Sequence, residues 1–140
     1  MAAKGQAKWE GDLKGGKGTF SAGEGITGEY SFKSRFEDGP GANPEQLIAA
    51  AHASCLSMAL SNVLAENGHN PTSVEVTASV QLRLLDDGPS ITSIALDVVG
   101  VVPGLEEEHF LKHAEEAKAG CPVSKALAGV PEITMTAKLG

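Results

Sequence analysis

The 140-residue chain has only two cysteines, Cys55 and Cys121. They form no Cys-x-x-Cys, which excludes a zinc ribbon and a thioredoxin-type motif. Basic residues are scarce as well. Eleven Lys and Arg stand against 18 Asp and Glu, for a net charge of −7 and a pI near 5.0. A phosphate-binding surface needs a clustered basic patch, so no nucleic-acid partner is expected. No run of about 18 apolar residues lacks polar interruption, so no membrane span is expected. The opening MAAKGQAKWEGDLKGG has no apolar h-region, and a secretory signal is not expected. The default compartment is the cytosol, where a cysteine pair is more often catalytic or redox-active than structural. Internal repeats, low-complexity tracts and long linkers are missing, so residues 1–140 read as one domain. What is present, 41% hydrophobic and 21% charged residues, suits a soluble globular chain with a real core.

Residues 6–11 alternate loosely and predict a strand. Lys14–Lys17 (KGGK) predicts a hairpin turn, because glycine accepts positive φ cheaply. A second strand is expected around Gly18–Ser21. In GEYSFKSRF, Tyr30 and Phe32 share a face, which predicts a third strand ending near Arg35. Glu37–Asn43 is a Gly/Pro loop. Asn43 then reads as an N-cap, Pro44 as the first helical residue and Gln46 as a capping-box partner. The helix is expected to run to about Asn67, with Gly68 closing it. Val74, Val76, Ala78, Val80, Leu82 and Leu84 alternate with polar residues and predict a strand with one wet face. DDGPS turns the chain, and Ile91–Val102 returns as its antiparallel partner. A second helix covers about Glu106–Ala119, with acids in its first turn. Gly120 ends it. Cys121-Pro122 opens a short helix to about Ala128, and PEITMTAKL is a last strand. The order is β-β-β-α-β-β-α-α-β, an α+β fold.

The helix after Asn43 has an unusual composition. Leu47, Ile48, Leu56, Met58, Leu60, Val63 and Leu64 are scattered around its circumference, with alanine and serine between them. A helix apolar all round is expected to be buried on every side. One small domain can hardly wrap it alone. The simplest solution is a homodimer whose two central helices pack together inside sheets from both chains, like one core cut in two.

The two thiols sit differently. Cys55 is mid-helix, where a free cysteine can be a small hydrophobe and nothing more. Cys121 is at a helix N-terminus, where the dipole and free amides stabilise a thiolate. One core and one terminal thiol suggest an attacking and a resolving cysteine. A peroxide-reducing thiol also needs a nearby cation to polarise the O–O bond. Arg35 could supply it, with Lys33 as local competitor, and Glu45 could hold the arginine through a bidentate pair. A surface arginine and a dipole-satisfying acid are the bland alternatives. Glu45 and Cys55 are ten residues apart, roughly 15 Å along one helix. They cannot meet within it, but an antiparallel partner chain could bring one helix's Glu45 toward the other's Cys55. His52 and Cys55 (i, i+3) and His109 and His113 (i, i+4) have ligand-like spacings, but no third ligand follows, so no metal is expected. His109 and His113 read as a solvated face. His52 reads as a satisfied core histidine or as a residue tuning Cys55.

NPEQLIAAAHASCLSMAL, KAGCPVSKAL, GQAKWEGDLKGGKGT and FKSRFE resemble the OsmC branch of the OsmC/Ohr family over essentially the whole chain. The resemblance implies thiol peroxidases that reduce organic hydroperoxides, and hydrogen peroxide less well. It implies an intertwined homodimer, two central buried helices wrapped by antiparallel β-sheets. By motif position it makes Cys55 the peroxidatic cysteine and Cys121 the resolving one. Glu45 matches the glutamate of the NPE motif, and Arg35 the arginine of the OsmC branch. The Ohr branch draws its arginine from nearer the N-terminus, where this chain offers only Lys14 and Lys17. No bound cofactor is implied. An external dithiol reductant, of lipoylated or thioredoxin type, would restore the disulfide. Two other classes stay open. One is a small-molecule or lipid binding dimer with non-catalytic thiols. The other is a thiol hydrolase using Cys55 and His52, which would also need an oxyanion hole.

Overall fold

The first three strands form an antiparallel meander. β1 (Gly5–Glu10), β2 (Lys17–Ala22) and β3 (Ile26–Tyr30) pair in that order in the computed structural model, which describes residues 1–140. The first turn spans residues 11–16, wider than KGGK. Asp12 Oδ1 accepts the Gly15 N–H at 3.0 Å, and Gly11 takes φ +95°. Trp9 and Tyr30 pack ring to ring across Gly18, with centroids 5.4 Å apart. A Cβ on Gly18 would sit 2.5 Å from the Tyr30 ring, so only glycine lets the two aromatics meet there.

The third strand stops earlier than its alternation promised. Phe32–Phe36 is a short helix, α1, and Arg35 lies on it rather than at a strand end. Ser31 caps it: Ser31 Oγ accepts the Ser34 N–H at 3.1 Å, and Ser34 Oγ accepts the Ser31 N–H at 2.8 Å. This is a capping box with serine in the return position. Two satisfied amides outweigh a two-residue aromatic alternation that resembles a strand.

α2 runs Pro44–Glu66. Asn43 Oδ1 accepts the Gln46 N–H at 2.9 Å, so the predicted cap forms, although Gln46 makes no return bond. At the other end Gly68 takes φ +81°. The His69 N–H reaches Leu64 O at 2.9 Å, a glycine-terminated helix end.

By its contacts the chain divides into two units, Met1–Leu47 and Ile48–Gly140, with the boundary inside α2. The second unit holds a long antiparallel hairpin of β4 (Ser73–Leu85) and β5 (Gly88–Val101). α3 (Glu107–Gly120) and α4 (Pro122–Ala126) follow, and then β6 (Glu132–Leu139). β6 pairs with β5 in parallel. The second sheet is therefore mixed, not antiparallel as expected. Two helices between β5 and β6 supply the crossover that parallel pairing requires.

The core of this unit gathers Leu56, Leu60 and Leu64 of α2, Ile94, Leu96 and Val98 of β5, and Phe110, Ala114 and Ala117 of α3. Each of the larger side chains contributes about 1.5–3 kcal/mol by leaving water. Phe110 packs against Gly100, where any Cβ would collide with its ring. The residues buried along α2 recur mostly every fourth position, His52, Leu56, Leu60 and Leu64, which is one helical stripe. A single chain does not bury α2 on every side, in keeping with the expectation that one small domain can hardly wrap it alone. Ala51, Ser54, Met58 and Asn62 are exposed, Met58 at 75%. By length and composition alone α2 could also cross a membrane, a property it shares with the core helices of soluble proteins.

Candidate active site

α2 carries Cys55 one residue before Leu56. Packing of the leucine stripe therefore turns the thiol toward the core edge, where it is half-buried. Cys121 is the single residue between α3 and α4, the last cap of one and the first cap of the other. It is fully buried. Pro122 at the first helical position starts α4, and the Cys121 sulfur caps that helix by accepting the Ser124 N–H at 3.5 Å. The two sulfurs, 66 residues apart in sequence, stand 3.1 Å apart and share one S–H···S hydrogen bond.

The surroundings treat the two thiols differently. Burial pushes the Cys55 thiol up; the Val123 amide pulls against it, and the hydrogen shared with Cys121 adds to the rise. Burial would also push Cys121 up. There, however, the Ser124 hydroxyl and amide, the Cys55 thiol and the Val123 amide together outweigh it and hold Cys121 below its ordinary value. Within one chain, then, Cys121 is the better thiolate and Cys55 keeps its proton.

His52 is fully buried. Its Nε2 lies 2.7 Å from Ser124 Oγ, while Nδ1 is buried without a partner. Burial, and after it the charge of Lys118, keep His52 below its usual 6.5, so the ring is neutral at pH 7. His52 thus faces Ser124 and, through it, Cys121. It is half satisfied, and it does not serve as a base for Cys55. His113, expected on a solvated face, is partly covered; its Nδ1 is 3.6 Å from Glu116 Oε2. His109 is exposed, as expected.

In the first unit Arg35 and Glu45 meet. Arg35 Nη2 and Nε both donate to Glu45 Oε1, at 2.7 and 3.1 Å. Both bonds fall on one oxygen, so the pair is forked rather than the side-by-side bidentate pair expected. Glu45 is buried at 6% exposure, and the Arg35 guanidinium lies over the Phe36 ring at 5.5 Å. Trp9, Leu13, Tyr30, Phe32, Arg35 and Phe36 line an apolar cleft beside it. Lys33 and Lys17 are exposed and pair with no carboxylate, and Lys14 lies 6.0 Å over the Phe32 ring. Of the four cations considered, only Arg35 is oriented by an acid.

Residues 37–136 match the OsmC family, described as OsmC-like protein. This chain belongs to it. The OsmC-like chain is 51% identical, over 97% of its length and 95% of the relative's, to Peroxiredoxin OsmC of Escherichia coli K12. It is 39% identical over 66% of both chains to an organic hydroperoxide resistance protein-like sequence of Staphylococcus aureus. Among solved structures it is similar to the organic hydroperoxide resistance protein OhrB of Bacillus subtilis. That match has a TM-score of 0.73 and 25% identity, over 100% of this chain and 98% of the other.

Ser124 and the Val123 amide had no place in the sequence expectations. A signal for Ser124 exists: in Cys-Pro-Val-Ser the serine is three residues after the cap, where its amide faces the capping side chain.

Proposed function

We propose that this chain reduces organic hydroperoxides, and hydrogen peroxide less well, with Cys55 as attacking thiol and Cys121 as resolving thiol. The coarser part is not in question: an OsmC-like chain 51% identical to a peroxiredoxin over nearly its whole length is a cysteine-based peroxidase. The finer reading rests on one observation, the 3.1 Å separation of the two sulfurs.

The Cys55 thiolate attacks the terminal peroxide oxygen. An S–O bond forms, the O–O bond breaks, and the alkoxide leaves as alcohol after taking a proton from water. Cys55 is then a sulfenic acid. Cys121 condenses with it to a disulfide, releasing water, and an external dithiol of lipoylated or thioredoxin type returns both thiols. No bound cofactor enters these steps. The reducing conditions they need fit the cytosol.

Cys55 needs a cation, since its own surroundings favour the protonated thiol. We assign this role to Arg35, oriented by Glu45, of a second copy of the chain. In a homodimer with antiparallel α2 helices the Arg35–Glu45 pair of one copy would approach Cys55 of the other. The exposed Ala51–Met58 face of α2 supports this arrangement. Apolar side chains beside Arg35 favour an alkyl or aryl substituent on the peroxide. The direct test is peroxide consumption by Cys55→Ser with a dithiol reductant. Loss of turnover is expected; full activity would end this reading.

A further inference from the structure

A line of hydrogen-bonding groups runs behind Cys121. His52 Nε2 is 2.7 Å from Ser124 Oγ, and the Ser124 N–H reaches Cys121 Sγ at 3.5 Å. Two hydrogen placements satisfy the His52–Ser124 contact. In one, Nδ1 carries the ring proton. Ser124 must then give its only hydrogen to Nε2, and the Nδ1–H is stranded in the interior. Orphaned buried N–H groups are rarer than under-satisfied acceptors, and a stranded donor is the costlier of the two. In the other, Nε2 carries the proton and donates it to Ser124. The stranded atom is then only a lone pair, and the Ser124 O–H is free for the sulfur.

We propose that His52 and Ser124 are positioning residues for the resolving step: His52 donates Nε2–H to Ser124, and Ser124 donates its hydroxyl to Cys121 Sγ, holding that sulfur as a thiolate aimed at Cys55. The inference rests on the peroxidase reading given above. Among the groups that hold the Cys121 thiol below its ordinary value the Ser124 hydroxyl comes first, beside the Ser124 amide, the Cys55 thiol and the Val123 amide; His52 acts only through Ser124. In the resolving step the Cys121 electron pair forms the S–S bond and the Cys55 S–O bond breaks. Hydroxide leaves and takes up the proton that Cys121 had released to water. Thiol plus sulfenic acid give disulfide plus water, and no electron enters or leaves the pair. His52 stays neutral throughout. The groups facing it are Ser124 of α4 and the Lys118 charge of α3, and the latter disfavours an imidazolium.

The test uses the full chain and separates the two steps. With Cys121→Ser as background, trapping of the Cys55 sulfenic acid after cumene hydroperoxide reads the first step. Acid quench, alkylation and mass measurement of chains that keep Cys121 read the closing step. Ser124→Ala and His52→Phe are expected to leave the first step unchanged and to slow closing about tenfold or more, the worth of one hydrogen bond to a charged group. Ser124→Thr, which keeps the hydroxyl, is expected to close at the rate of the unaltered chain. A parallel arm closes the same pair with diamide and needs no peroxide. No reaction with cumene hydroperoxide, with the ranking kept in diamide, would remove the peroxidase reading and leave the positioning role standing. Closing by Ser124→Ala at the unaltered rate in both arms would overturn the positioning role. Nitrogen-15 shifts of His52 in the unaltered chain give a readout independent of any variant's folding. The Nε2–H tautomer is expected, and the Nδ1–H tautomer would overturn the proposal.

Discussion

Cys55 Sγ lies 3.1 Å from Cys121 Sγ, close enough that bonding them needs a shift of only about 1 Å. One thiol is on a long helix and the other on the joint between two later helices, so their meeting is a product of the core rather than of local sequence. Cys121→Ser is expected to consume one equivalent of cumene hydroperoxide and then stall with Cys55 as a sulfenic acid. Stoichiometric consumption followed by trapping of the product checks this.

The Arg35–Glu45 pair is expected to act as a unit. Arg35→Ala leaves a carboxylate at 6% exposure without its partner, which costs about 1.5–3 kcal/mol, the range for a hydrogen bond to a charged group. Arg35→Lys should restore little, because two N–H groups of one planar fork reach Oε1. Urea unfolding reads the stability. The rate of Cys55 oxidation, expected to fall in both variants, reads the function. In Arg35→Ala/Glu45→Ala the two losses should not add, as befits groups in direct contact.

Acid should weaken the fold through His52. Its pKa in the folded chain is below its ordinary 6.5, chiefly through burial, so on unfolding at lower pH the ring gains a proton that the fold resists. The contribution is present above pH 6.5 and is lost as pH falls through the folded value. Thermal unfolding between pH 7.5 and pH 5 is expected to show a falling Tm in the unaltered chain. The fall should be shallower in His52→Gln, which cannot take up the proton.

The uncovered face of α2 is expected to be the contact with a second copy. Met58 is 75% exposed in the single chain, and Met58→Glu would bury a charge in that contact. Light scattering at micromolar concentration should give twice 14.4 kDa for the unaltered chain and a single 14.4 kDa species for Met58→Glu. The variant should also lose peroxide turnover, since Arg35 of the second copy would be gone. A monomeric unaltered chain with full activity would contradict the arrangement.

Legibility in the sequence followed the range of the interactions. β4 was readable because Val74, Val76, Ala78 and Val80 alternate cleanly, and α2 because Asn43 and Gly68 mark its ends. α1 was missed because Tyr30 and Phe32 alternate like a strand, while the deciding serines, Ser31 and Ser34, form a box with the less usual return residue. The parallel pairing of β6 with β5 depends on how α3 and α4 carry the chain across, and no local pattern records that. At the site, Arg35 with Glu45 was anticipated from the acid in the first turn of α2. The roles proposed for Cys55 and Cys121 rest on family motifs, because a gap of 66 residues carries no geometric information. Ser124 went unnoticed because its contact with the buried His52 joins α2 to α4, with β4, β5 and α3 between them in the chain.

The central claim is that Cys55 and Cys121 form one redox pair that peroxide closes. The most direct measurement is a titration of the fully reduced chain with cumene hydroperoxide, with hydrogen peroxide in parallel, read by intact mass and by mapping the cross-linked peptides. One equivalent of cumene hydroperoxide is expected to remove two hydrogens and join Cys55 to Cys121, faster than hydrogen peroxide does. Two freely alkylatable cysteines after excess of either peroxide would contradict it.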